Sequence, residues 1–144
     1  MNLISTYSNL PEFFYSPVKT DPAPGAELLA WNTELAVHLG LDALDADREK
    51  LTRIFSGTEP LPGGKTIALA YAGHQFGNFV PQLGDGRAAL LGEVISPVDG
   101  GQYDIQLKGS GQTPYSRRGD GKSSLGPVLR EYLLSEAMHR LGVP

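Results

Sequence analysis

The chain has 144 residues, a formal net charge of −4 and no cysteine. That length suits one domain with a core of its own. The acid excess offers no general attraction for nucleic acid or an anionic membrane, and the lack of thiols excludes disulfides and thiolate metal sites. No apolar run approaches the roughly 18 residues of a membrane span. MNLISTYSNLPEFF has neither a basic segment nor a small-residue cleavage site, so the expected location is cytoplasmic.

Residues 1–24 are rich in proline and aromatic side chains, among them Pro11, Phe13, Phe14, Tyr15 and Pro17. That composition suits an extended arm laying its rings on the body, or a partly ordered leader. Glu27 to Leu39 then sets Leu28, Leu29, Trp31, Leu35, Ala36 and Leu39 at helical spacing, closed by Gly40. His38 within it reads as a surface or half-buried residue. A second, shorter helix is expected over Ala46 to Phe55, its charges forming a solvated face, and Gly57 to Gly64 is a loop.

Ile67 to Tyr71 is a short apolar run leading into Gly73-His74-Gln75-Phe76-Gly77. No histidine, cysteine or carboxylate stands at ligand spacing from His74, so a histidine hydrogen-bonded in a tight turn is preferred over a metal ligand. Gln75 and Asn78 are open. Gly84-Asp85-Gly86 predicts a turn, since its two glycines permit positive φ and close backbone approach. Ala88 to Val94 and Tyr103 to Leu107 read as two strands of a hairpin joined through Ser96 to Gly101. Lys108 stands at the end of the second strand. A polar, glycine-rich stretch follows, Gly109 to Ser124, carrying Arg117, Arg118, Asp120, Gly121 and Lys122. A helix is expected from Gly126-Pro127, with proline at its first position, to Gly142.

Strand, glycine turn, strand, lysine and an acid-bearing helix form the layout of a kinase-type small lobe. Phosphates need positive charge and N–H groups that come close, which glycine turns supply. Gly84 and Gly86 would give the approach, Arg87 a guanidinium fork and Lys108 a point charge. Glu131, at the edge of the apolar arc of Leu129, Leu133, Leu134, Ala137, Met138 and Leu141, is the candidate to hold Lys108. Glu136 stands four residues before Arg140, the spacing of a surface ion pair. Bland alternatives stay open: an ordinary hairpin turn at Gly84–Gly86, a solvated strand-end lysine, and a surface salt-bridge loop at Arg117, Arg118 and Asp120. The strict G-x-G-x-x-G pattern is absent, Ala89 following where a third glycine would stand.

The wording is more specific than the layout. GHQFGNFVPQLGDGRAALLGE (Gly73 to Glu93), DIQLKGSGQTPYSRRGDG (Asp104 to Gly121) and REYLLSEAMHRLGVP (Arg130 to Pro144) closely resemble the selenoprotein O family, known in bacteria as YdiU. The likeness extends to the N-terminal PEFFYSPV and NTELAVHLGLD. It implies a kinase-fold protein, of a family first read as pseudokinases, that transfers AMP from ATP, with Mg²⁺, to hydroxyl side chains of proteins (AMPylation). In the family ATP lies flipped relative to ordinary kinases, so attack falls on the α-phosphate. The family's nucleotide-contact pattern falls on Gly84, Gly86, Arg87, Lys108, Asp120 and Gly121, with Glu131 as the helix partner of the lysine. Asp120 would contact adenine, ribose or a bound cation.

The fold expected is α+β: a kinase-like small lobe at residues 67–144, with an antiparallel sheet and a packed αC-type helix, preceded by an arm and helices at 1–66. The family's catalytic aspartate, Mg²⁺ ligands and further phosphate-binding arginines lie in a large lobe that this chain does not include, so neither a catalytic nor a metal residue is assigned here. The chain is therefore expected to be an N-terminal portion that binds ATP weakly, if at all, does not catalyse alone, and self-associates through an exposed lobe face. The competing functions are an ordinary phosphotransferase and a non-catalytic module that binds ATP or a partner.

Overall fold

The computed structural model describes residues 3–143 and has an α+β architecture with antiparallel sheets. In chain order, β1 (Leu3–Ile4) and β2 (Tyr15–Pro17) flank two short 3₁₀ turns. Three short helices follow: α1 (Thr33–His38), α2 (Asp42–Asp45) and α3 (Arg48–Phe55). Then come β3 (Ile67–Leu69), the small hairpin β4 (Gly73–Gln75) and β5 (Asn78–Val80), the long hairpin β6 (Ala88–Ile95) and β7 (Gln102–Lys108), and α4 (Leu125–Arg140). No helix among the described residues is long and apolar enough to cross a membrane.

The main sheet is built on β6. Along one edge β7 pairs with it from Ala88↔Lys108 to Ile95↔Gln102, with a bulge between Leu90 and Gly92. Its other edge is shared by β3 (Ile67↔Leu90) and β1 (Leu3↔Val94), and β2 adds outside β3 through Tyr15↔Leu69. The period-2 pattern of β7 explains the layering. Ile105 and Leu107 join Leu91 and Val94 in a core covered by Ala36, Leu41, Ile54 and Leu61, while Gln102, Asp104, Gln106 and Lys108 take the other face. Near that polar face Glu93 is fully buried, because its carboxylate accepts from the Thr6 N–H, the Thr6 hydroxyl and the Gln102 amide. This satisfies a buried charge and ties the N-terminus to the sheet.

Several expectations are corrected. The N-terminal arm is held by its backbone, as β1 and β2; Phe13 is 74% exposed, its ring tilted against that of Phe14 at 4.3 Å. The helix expected over residues 27–39 begins only at Thr33, because Asn32 caps it, its Oδ1 accepting the Leu35 N–H at 2.9 Å. Similarly Asp47 caps α3 by accepting the Lys50 N–H. His38, by contrast, is half-buried as expected, and clasps the β6–β7 connection, its Nε2 3.2 Å from Asp99 and 3.3 Å from the Tyr103 hydroxyl.

The largest correction concerns α4. It starts at Leu125, so Pro127 falls at its third position, where no intrahelical N–H is needed. It does not pack on the sheet: Leu133, Leu134 and Leu141 are 66%, 57% and 78% exposed. Polar contacts attach it instead. The Asn32 amide donates to Glu136 at 2.5 Å, Arg140 reaches Glu34 at 3.4 Å, and Lys108 reaches Glu131. The expected Glu136–Arg140 pair is therefore replaced by two bridges to the start of α1.

Candidate functional site

The glycine turn is fixed from both sides of Asp85. The Asp85 N–H donates to the Leu69 carbonyl at 3.0 Å, and Asp85 Oδ2 accepts the Leu69 N–H at 2.8 Å. This reciprocal pair locks the turn to the end of β3. Burial pushes the Asp85 carboxyl above its ordinary value, against the Leu69 N–H and the Tyr71 hydroxyl, which hold it down. Leu83 and Gly84 donate to the Tyr71 carbonyl at 2.8 and 3.0 Å. Gly84 has φ 60° and lies under Tyr115, where an added Cβ would stand 2.4 Å from Tyr115 Cγ. Gly86, φ 63°, has open space at the same position. Only glycine meets both demands without strain.

β7 delivers Lys108 to the rim of this turn, and α4 brings Glu131 to meet it. Lys108 Nζ lies 2.9 and 3.1 Å from the two Glu131 oxygens. The hydrogen bond and charge of Lys108 hold the Glu131 carboxyl below its ordinary value. The Arg87 guanidinium donates to the Lys122 carbonyl at 2.6 Å, which aims it along the following loop. In that loop Asp120 accepts the Lys122 N–H at 2.9 Å, closing a turn. Gly121, φ 71°, passes so close to Gly111 that a Cβ would stand 2.1 Å from the Gly111 carbonyl oxygen. Lys122 Nζ is held by Asp21 at 2.8 Å.

Gly84, Gly86, Arg87, Lys108, Asp120, Gly121 and Glu131 all line one open cleft of about 800 Å³. Five cationic side chains border it (Arg87, Lys108, Arg117, Arg118, Lys122) against three carboxylates (Asp85, Asp120, Glu131). The cleft is thus locally positive on a chain that is negative overall, which suits an anionic ligand with several charges. Its acids are already partnered. Each is engaged by an N–H or an ammonium, and among the described residues no three metal-ligating side chains gather.

Asp85 and the hydroxyls of Thr113 and Ser116 also shape the turn, and sequence reading gave them no role. The legible signal was T-P-Y-S, a proline turn flanked by hydroxyls three apart. Ser116 Oγ accepts the Thr113 N–H at 2.8 Å, and Thr113 Oγ1 accepts the Tyr115 N–H at 3.1 Å. His74 sits exposed on β4 with its ring 5.5 Å from Phe79, and its side chain makes no hydrogen bond among the described residues, contrary to expectation. Gln75 borders the cleft, and Asn78 donates to the Phe76 carbonyl at 3.2 Å.

Residues 1–144 match the family described as protein adenylyltransferase SelO. The protein nucleotidyltransferase YdiU of Agrobacterium fabrum is 57% identical over 144 residues, covering 100% of this chain and 29% of that protein. Proteins of the same name from Sphingopyxis alaskensis and Rhizobium meliloti are each 58% identical, over 91% and 97% of this chain and 27% and 28% of their own lengths. The chain therefore spans less than a third of these relatives. With a family match from its first residue to its last and relatives this similar, the chain belongs to the protein adenylyltransferase SelO family.

Proposed function

We propose that these 144 residues are the nucleotide-binding part of a cytoplasmic protein adenylyltransferase, with residues 67–144 forming a kinase-like small lobe and residues 1–66 its arm and helices. The observation that carries this reading is the Lys108–Glu131 bridge at the rim of a positive cleft floored by a glycine turn. The glycine turn brings backbone N–H groups near the polyphosphate of ATP. Lys108, oriented by Glu131, and Arg87, oriented by the Lys122 carbonyl, add positive charge. Asp120 and Gly121 shape the far wall. In the proposed reaction an acceptor Ser, Thr or Tyr hydroxyl gives up its proton to water as its oxygen bonds to the α-phosphorus, the bond to the bridging oxygen breaks, and pyrophosphate leaves. Mg²⁺ would offset charge on the polyphosphate, and no ligand for it is proposed among residues 3–143.

The isolated chain is expected to bind ATP weakly and not to complete transfer. Its outward α4 face, carrying Leu133, Leu134 and Leu141, also supports self-association of the isolated chain.

The test takes the complete open reading frame containing this chain, with Mg²⁺ and ATP labelled at either the α- or the γ-phosphate. Protein labelled only from the α position, and not after Lys108→Ala, is the expected result. Label from the γ position would make the protein a phosphotransferase. Label from neither, with nucleotide binding intact, would favour a binding module.

A further inference from the structure

Two hydroxyls converge on one carbonyl behind the glycine turn. Gly86 O accepts from Ser116 Oγ at 3.0 Å and from Thr113 Oγ1. A hydroxyl has one proton to give. Because Thr113 Oγ1 already accepts the Tyr115 N–H, and Ser116 Oγ the Thr113 N–H, each proton is directed at Gly86. Both lone pairs of that carbonyl are thereby used. The Tyr115 ring meanwhile packs on Gly84, and its hydroxyl is 2.9 Å from Ser16 on β2. The segment Thr113–Ser116 thus grips the turn at two points and fastens it to the sheet.

The consequence lies on the other side of the peptide. In a trans peptide the C=O and N–H point in opposite directions, so turning the Gly86 carbonyl into the clamp sends the Arg87 N–H the other way. Neither the Gly86 nor the Arg87 N–H has an acceptor among the described residues, and both residues border the cleft. Successive N–H groups beside a residue of positive φ form a concavity for an anion. We infer that Thr113, which does not itself border the cleft, is a positioning residue that acts with Ser116 through the Gly86 carbonyl to present the Gly86 and Arg87 N–H groups to the polyphosphate of the nucleotide. This rests on the nucleotide-binding reading above.

The test uses the ¹⁵N-labelled 144-residue chain, with the Gly86 and Arg87 amide signals followed by NMR, which reads the weak affinities expected. The probes are ATP, inorganic tripolyphosphate and adenosine. In the unsubstituted chain ATP and tripolyphosphate should move both signals and adenosine should not. Thr113→Val, which keeps the shape and removes the hydroxyl, should shift both signals before any ligand is added. It should also weaken ATP and tripolyphosphate about three- to tenfold, the worth of one hydrogen bond, and leave adenosine unchanged. Thr113→Ser should restore the affinity, which a merely structural contact would not tie to phosphate. If Thr113→Val loses the dispersed spectrum of a folded chain, Ser116→Ala removes the other hydroxyl from the same carbonyl and carries the same expectation. Unaltered tripolyphosphate affinity in a folded variant overturns the positioning role alone. Amide signals that ignore both ATP and tripolyphosphate in the unsubstituted chain overturn the phosphate role, and failure of the complete open reading frame to bind ATP overturns the nucleotide reading with it.

Discussion

Replacing Lys108 with methionine separates a binding role from a structural one. The side chains of Lys108 and Glu131 are 54% and 58% exposed, so water and salt screen their attraction, and the fold should lose little when the bridge is cut. The melting temperature should fall by no more than a few degrees. Nucleotide affinity should respond far more. One charge-assisted hydrogen bond to phosphate is worth about 1.5–3 kcal/mol, roughly a ten- to hundredfold change in Kd. The loss has a second source, because without its partner the Glu131 carboxylate would stand unpaired in the cleft and repel phosphate. Lys108→Met combined with Glu131→Gln should therefore bind better than Lys108→Met alone, although it has lost two charges. The assays are scanning calorimetry and NMR titration with ATP on the same samples. A large drop in melting temperature with unchanged affinity would make the bridge an ordinary scaffold contact and refute the reasoning.

Gly84→Ala and Gly86→Ala share the strain of positive φ, about 1–2 kcal/mol, but only the first also drives a methyl into Tyr115 and the Leu69 carbonyl, so thermal denaturation should rank Gly84→Ala the less stable. Glu93→Gln puts an amide among donors that a fully buried carboxylate now satisfies, and should destabilise by about 1–3 kcal/mol and expose the N-terminal arm to proteolysis. Because the Glu131 carboxyl is held below its ordinary value, its bridge is intact above the unfolded pKa and is lost as pH falls through the folded one. Hydrogen exchange should therefore find α4 keeping its protection until the pH falls below the ordinary carboxylate range, and losing it there before β6 and β7 do. Leu134→Glu should suppress concentration-dependent self-association in sedimentation without lowering the melting temperature, since Leu134 is 57% exposed.

The sequence by itself determined the parts whose signals are local. The alternation in β7 and the apolar run of β6 specified a hairpin, and the two glycines around Asp85 specified a turn before it. Lys108 and Glu131, 23 positions apart, could be paired because a strand end and a helix edge leave few ways to meet. Tertiary structure decided the rest. Periodicity states which side of an element is apolar but not what lies against it, so α4 read as packed when its leucines face outward and glutamates attach it. A cap can end a helix that its periodicity would extend, as Asn32 does by bonding both Leu35 and Glu136. The pairing of β1 with β6, the burial of Glu93 under Thr6, and the closure of two hydroxyls on Gly86 all join residues far apart in the chain. Their hydrogen bonds depend on where the backbone has already been carried, and no local pattern of residues encodes that.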